Sequence, residues 1–330
     1  MRLAWFKPDE APTDDSALLV AALRERHEIN VINATAAHEF VWRHARKPYD
    51  LCIYELDNTA AHQFVYPYLV HYPGVLWLRR TTLQTSRGNA LARDGRLDDF
   101  GREFAFAHPG AAPPLRRDVG RIVPGRWPML SVPLASSRIT VVAHAATAES
   151  LAIDYPGTRV RAVLPPVGPL ARATDASRED VVVALEWPVD GAPLVNALAG
   201  FSAGRPVIVF DCLETADWPS IDPQNWQPRT PGEPICITID PRDADHSLRL
   251  AMRRVKRDPG LGARLGRAAL AWSRAHATVE HATARMEEVL EEATRMEPPP
   301  RPAGWPAHLL ENGTTRAREV LAAFGLKLPF

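Results

Sequence analysis

The residues with which this sequence could do chemistry stand directly after short apolar runs. Asn58 and His62 follow the run 50–56, Arg79 and Arg80 follow Val75–Leu78, and His144 follows Ile139–Ala143. In an open parallel α/β sheet, ligands gather at the carboxyl ends of the strands. Histidine titrates near neutral pH, so His62 and His144 are the candidates to move a proton. Asn58 offers a donor and an acceptor, and Arg79 a permanent cation able to hold a phosphate or a carboxylate. Further along, Glu186 and Asp190 are carboxylates just past the run Val181–Leu185, and Arg205 is a cation beside a tight turn. Each has a plain structural alternative. Asn58 could cap a helix, His62 could lie on the surface, Arg79 could be a solvated strand end, and Glu186 and Asp190 could be loop charge.

Other patterns carry less. Gly200 to Gly204 matches G-x-S-x-G around Ser202, but a helix precedes the serine and a strand follows it, the reverse of a nucleophile elbow. His276 and His281 are five residues apart, so they do not share a helix face, and no metal site is expected.

These positions depend on alternating strands and helices. The short apolar runs Leu3–Phe6, Ile29–Ile32, 50–56, Val75–Leu78, Ile139–Ala143 and Val160–Leu164 read as buried strands. Between them, Ala36–His44, Arg87–Arg102 with a turn at Gly95, and Ala146–Tyr155 read as helices. Residues 181–211 form one βαβ unit: strand 181–185, helix 192–202, a C-cap at Gly204, and strand 205–210. One more strand is expected at 235–239, a Trp- and Pro-rich loop at 215–229, and helices at 244–257, 259–275 and 278–295. The fold class is α/β with two Rossmann-like domains, the second reduced to about three recognisable strands plus helices. The expected division is 1–165, 166–300, and a helical tail 301–330 that crosses back to the first domain.

Composition narrows the class. Apolar residues make up 46% of the 330, enough for large cores, and charged residues 24%. The net charge of +0 gives no reason to expect nucleic acid as a partner. The three cysteines, Cys52, Cys212 and Cys236, lie in or beside strand-like runs, as buried thiols of a reducing cytoplasm do. No apolar run is long enough to span a bilayer. A cytoplasmic protein is expected, with peripheral membrane contact left open.

The helix followed by Gly204-Arg205-Pro206-Val207 resembles the end of the nucleotide-sugar site in GT-B glycosyltransferases of the family 4, or group 1, type. Tyr49–Leu69 is similar to a segment of their amino-terminal half, and Asp240–Asp243 with the following Arg-rich helices to their carboxy-terminal region. The resemblance implies transfer of a sugar from a nucleotide-sugar to an acceptor, retaining and metal-independent, with the donor held between two domains and no further cofactor. It places Glu186, Asp190 and Arg205 on the donor side and Asn58, His62 and Arg79 on the acceptor side. The family's two donor-site glutamates would fall at Gly191 and Ala199, and its diphosphate-binding segment has no counterpart here. The alternative implied is a non-catalytic GT-B-like partner or scaffold of an active relative.

Overall fold

Alternation along buried strands builds two cores from one sheet. The computed structural model describes residues 1–9, 15–112, 127–167, 181–186, 190–311 and 315–326. In the first half, β1 (Arg2–Phe6), α1 (Asp15–Leu23), β2 (Glu28–Ile32), α2 (Phe40–Arg46), β3 (Leu51–Leu56), α3 (Val65–His71) and β4 (Val75–Leu78) follow in order. Then come α4 (Gln84–Arg93), α5 (Leu97–Ala107), α6 (Ser131–Ser136), β5 (Ile139–Val142), α7 (Ala145–Asp154) and β6 (Val160–Ala162). The strands form a parallel sheet in the order β2-β1-β3-β4-β5-β6. Because side chains alternate across a strand, Leu3 and Trp5 of β1 enter the core on one face, and Ala4 and Phe6 the core on the other. The central strands β3, β4 and β5 are buried along their whole length, which is why they read as unbroken apolar runs.

The second half contains β7 (Val182–Ala184), α8 (Val195–Ser202), β8 (Val207–Phe210), β9 (Ser220–Ile221), β10 (Cys236–Ile239), α9 (Ala244–Arg257) and α10 (Pro259–His276). Its sheet is also parallel, in the order β7-β8-β10-β9. Two Rossmann-like units are therefore present. The second has four strands among the described residues, one more than expected. The addition is β9, two residues inside the Trp- and Pro-rich stretch, too short to show any period. Gly204 ends the helix-turn with φ +69°, as its C-cap position requires, and α10 lies across that turn against α8.

The chain then returns. Ala282, Met286, Val289, Leu290 and Ala293 of α11 (Val279–Thr294) join the core under the first sheet with Trp5, Leu19 and Trp77. Arg161 holds Glu292 through two hydrogen bonds, and the Arg138 guanidinium donates to the Ala293 carbonyl. So residues 279–294, grouped by the sequence division with the second unit, pack on the first. Further on, Trp305 meets Phe106 edge-on, Leu309 enters the other core and His308 reaches Glu103. A last helix, α12 (Thr315–Ala323), follows. The sequence also suggests a linker at 165–169 and a helix break near Asn312-Gly313; Gly168, Pro169, Asn312 and Gly313 lie outside the described residues.

Candidate functional site at the carboxyl edges of the two sheets

Because every strand in each sheet is parallel, residues that follow strands gather at one edge. On the first sheet that edge presents Lys7, Asp57, Asn58, Arg79, Arg80 and His144. On the second it presents Glu186 and Asp190 after β7, and Asp211 to Glu214 after β8. The two edges meet. The Arg80 guanidinium bonds the Asp190 carboxylate at 2.7 Å and lies 3.3 Å from that of Asp57. The Thr81 amide donates to the Asp190 carbonyl, and His144 Nε2 shares a 3.0 Å hydrogen bond with the Ala192 carbonyl. The Gly191 amide donates to Glu214 Oε1 at 2.6 Å.

Local backbone explains this seam. Gly191 has φ +84°, and a Cβ there would come within 2.7 Å of the Thr81 methyl group, so only glycine fits against the first sheet. Leu194, just before α8, holds φ 49°, a left-handed conformation unfavourable for leucine, with its side chain buried in the second core. Strain of this kind is retained where surrounding contacts over-determine the chain. Here those contacts are the second core, beside the seam.

The predicted residues divide. Asp190 lies at the centre of the seam. His144 is buried there, its Nε2 already engaged, and burial pushes its pKa down. Arg79 is bonded through Nη2 to both oxygens of Asp15 at 2.9 and 2.8 Å, beneath the sheet edge and beside Glu55. It is a buried ion-pair member rather than a solvated strand end. Asn58 accepts from the Ser86 amide at 2.9 Å, capping α4 from a distance in sequence. His62 shares a hydrogen bond with Thr59 and faces Asp57 and Arg79. Burial is the larger influence and pushes its pKa down to about 4, so it is neutral at physiological pH and only a weak base. Glu186 accepts from Asn196 at 3.1 Å, at the same edge as Asp190. Arg205 is set apart. It precedes β8 and so stands at the amino edge of the second sheet, roughly 13 Å of strand from the carboxyl edge. The donor-side expectation for Arg205 is corrected on that ground.

Asp57 and Glu214 complete the cluster around Arg80, and neither was singled out in the sequence. Each follows a buried strand closely, which is the signal that would have found them. Glu214 is 4% exposed, and among the described residues its Oε2 has no hydrogen-bond partner. Buried acceptors are normally satisfied, so this one invites a donor. Of the thiols, Cys52 and Cys236 are buried and Cys212 is half-buried beside Glu214, with burial pushing its pKa up to about 11.

No family model matches the sequence, and no curated protein does. In three dimensions the chain is similar to sucrose-phosphate synthase from Thermosynechococcus elongatus, with a TM-score of 0.53 at 12% identity over 88% of this chain and 98% of that one. The chain has the GT-B fold. It is also similar to HepE of Anabaena, solved in complex with UDP and glucose, with a TM-score of 0.46 at 14% identity over 88% of this chain and 99% of that one. In this GT-B chain the seam between the carboxyl edges is the interdomain position. Among the described residues, no helix is long and apolar enough to cross a membrane.

The seam makes a pH prediction. Burial, then the neighbouring Asp57 and Glu214 charges, outweigh Arg80 and push the Asp190 pKa up from 3.8 to about 6. A raised carboxyl pKa contributes stability below the unfolded value and loses it as pH rises through the folded value. The stability of the native chain relative to Asp190→Asn is therefore expected to fall as pH rises from 3.8 to about 6, and to level off above that. Urea denaturation of both chains across this range checks it. A difference that grows with rising pH would contradict the assignment.

Proposed function

We propose that this chain is a glycosyltransferase-like protein of the cytoplasm that holds a nucleotide-sugar where the carboxyl edges of its two sheets meet, for transfer of the sugar to an acceptor. The observation that carries this reading is the cluster at that seam: a half-exposed Arg80 between Asp57 and Asp190, with Glu214 Oε2, unpartnered among the described residues, nearby. A nucleotide-sugar offers what the cluster lacks. Its diphosphate oxygens can replace a carboxylate on Arg80, and a sugar hydroxyl can donate to Glu214. In the transfer, the bond between the anomeric carbon and the diphosphate breaks, the nucleoside diphosphate leaves with the electron pair, and the acceptor oxygen takes its place. Cationic stabilisation of the leaving group is the largest contribution the protein can make. On the first sheet we assign His62 to the acceptor side, with Asn58 and Arg79 beside it; it accepts a hydrogen bond from the acceptor hydroxyl, whose proton leaves with the departing diphosphate. By resemblance the transfer is retaining and needs no metal.

A second reading, a non-catalytic partner of an active relative, is favoured by two specific observations. The segment Asp190–Ala192 is itself hydrogen-bonded into the first sheet's edge, and positions 191 and 199 carry Gly191 and Ala199 in place of carboxylates.

Thermal melting with UDP, GDP, ADP and their sugars tests the proposal. A ligand at about 100 times its Kd adds about 2.7 kcal/mol, which for a chain of this size is a shift of roughly 4 °C. A shift with one nucleotide class is expected. A shift without release of nucleoside diphosphate selects the second reading, and no shift with any donor contradicts the proposal.

A further inference from the structure

Helix α9 carries a dense run of positive charge on one side. Its buried side is Ser247, Ala251 and Val255, at i, i+4 and i+8, against the second sheet. The opposite side presents Arg249, Arg253, Lys256 and Arg257, all exposed, with Met252 among them at 41% exposure. The helix holds five basic residues against one acidic residue, Asp245 in the first turn, in a chain whose net charge is +0. Several exposed arginines on other helices are paired within a turn: Arg43 with Glu39, Arg96 and Arg102 with Asp99, Arg285 with Glu288, Arg295 with Glu291. Among the described residues, the four stripe cations have no ion-pair partner. On this helix only Arg254, to the side of the stripe, is paired, with Asp258.

We propose that this face of α9 is a docking surface for a membrane rich in anionic phospholipid. The stripe from Arg249 to Arg257 spans roughly 12 Å of a straight helix, so its cations can meet several headgroups at once. Each basic side chain near an anionic bilayer adds to the attraction, and their long stems let the charges reach the phosphates while the helix lies flat. Met252, apolar and central, enters the headgroup boundary as the second signal that stable interfacial binding needs. The stripe lacks the aromatic platforms on which nucleic-acid bases stack. One indole beside this helix, Trp226, is capped by the Arg254 guanidinium at 5.5 Å. This surface is separate from the seam between the sheets, and its occupancy does not depend on sugar chemistry.

Vesicle flotation of the full chain tests the proposal. Vesicles of equal parts phosphatidylcholine and phosphatidylserine are expected to carry at least tenfold more protein than phosphatidylcholine alone. Binding should fall as salt rises from about 0.1 M to about 1 M, where the screening length shrinks from about 10 Å to 3 Å. Arg253→Glu with Arg257→Glu should bring binding to the phosphatidylcholine level. Arg249→Gln with Lys256→Gln, which adds no repulsive charge, should lower it several-fold, both pairs melting as the parent does. Met252→Ser should weaken binding without changing its salt dependence. No preference for phosphatidylserine, equal binding by the charge variants, or comparable retention of single-stranded nucleic acid at the same salt would each overturn the assignment.

Discussion

Replacing Glu103 by alanine is expected to cost about 3–5 kcal/mol of stability, the cost of removing one member of a buried ion pair. Glu103 is 1% exposed on α5. Arg87 grips it through Nε at 2.8 Å and through Nη2, the Tyr66 hydroxyl donates to it at 3.2 Å, and His308 Nε2 lies 2.8 Å away. Burial alone would raise its pKa, but the Arg87 hydrogen bonds and charge, with those of His308, hold it below the ordinary value. Alanine would leave the Arg87 guanidinium buried over the Tyr66 ring without its counter-charge. It would also free the returning segment around His308, so two distant parts of the chain would loosen together. Guanidinium denaturation and limited proteolysis after residue 295 read the two effects separately. A loss under about 1 kcal/mol, typical of a surface ion pair, would show the network to be dispensable.

The second large effect has an unusual sign. In an ordinary helix interior, Gly→Ala stabilises by about 1 kcal/mol. Gly266 lies inside α10, and there the same change is expected to destabilise by about 3 kcal/mol, at the upper end of overpacking costs. A Cβ on Gly266 would stand well inside contact distance of the Gly204 carbonyl, which is backbone and cannot rotate away. Gly204 in turn is held by φ +69° and by the Arg205 amide bonded to the Gly200 carbonyl. The close approach of α10 to the α8–β8 turn thus rests on two glycines, each with its own reason. A Gly266→Ala chain more stable than the parent would contradict this packing.

Much of this architecture was legible in the sequence because parallel strands covered on both faces leave nothing but apolar runs, as at Ile53, Val75 and Val141. Gly204 marked a helix end for the same local reason it occupies one. The seam was only half legible. Strand ends pointed to Asn58, Arg79, His144 and Asp190, but the bond between Arg80 and Asp190 joins residues 110 apart, and no local pattern records such a partner. The Glu103–His308 contact spans 205 residues and was invisible for the same reason. Arg205 was drawn into the site by the motif around it, although its place before a strand assigns it to the other edge. Asn58 caps a helix, as local chemistry allowed, but the helix is α4 rather than the one beside it.

Hydrogen exchange of the full chain, with and without the nucleotide that gives the largest melting shift, tests most directly whether the two carboxyl edges form the donor site. Slowed exchange at the amides of residues 57–59, 79–81, 190–192 and 211–215 is the predicted result. Protection confined to other segments, or none at those four while the melting shift persists, would place the ligand elsewhere and contradict the account.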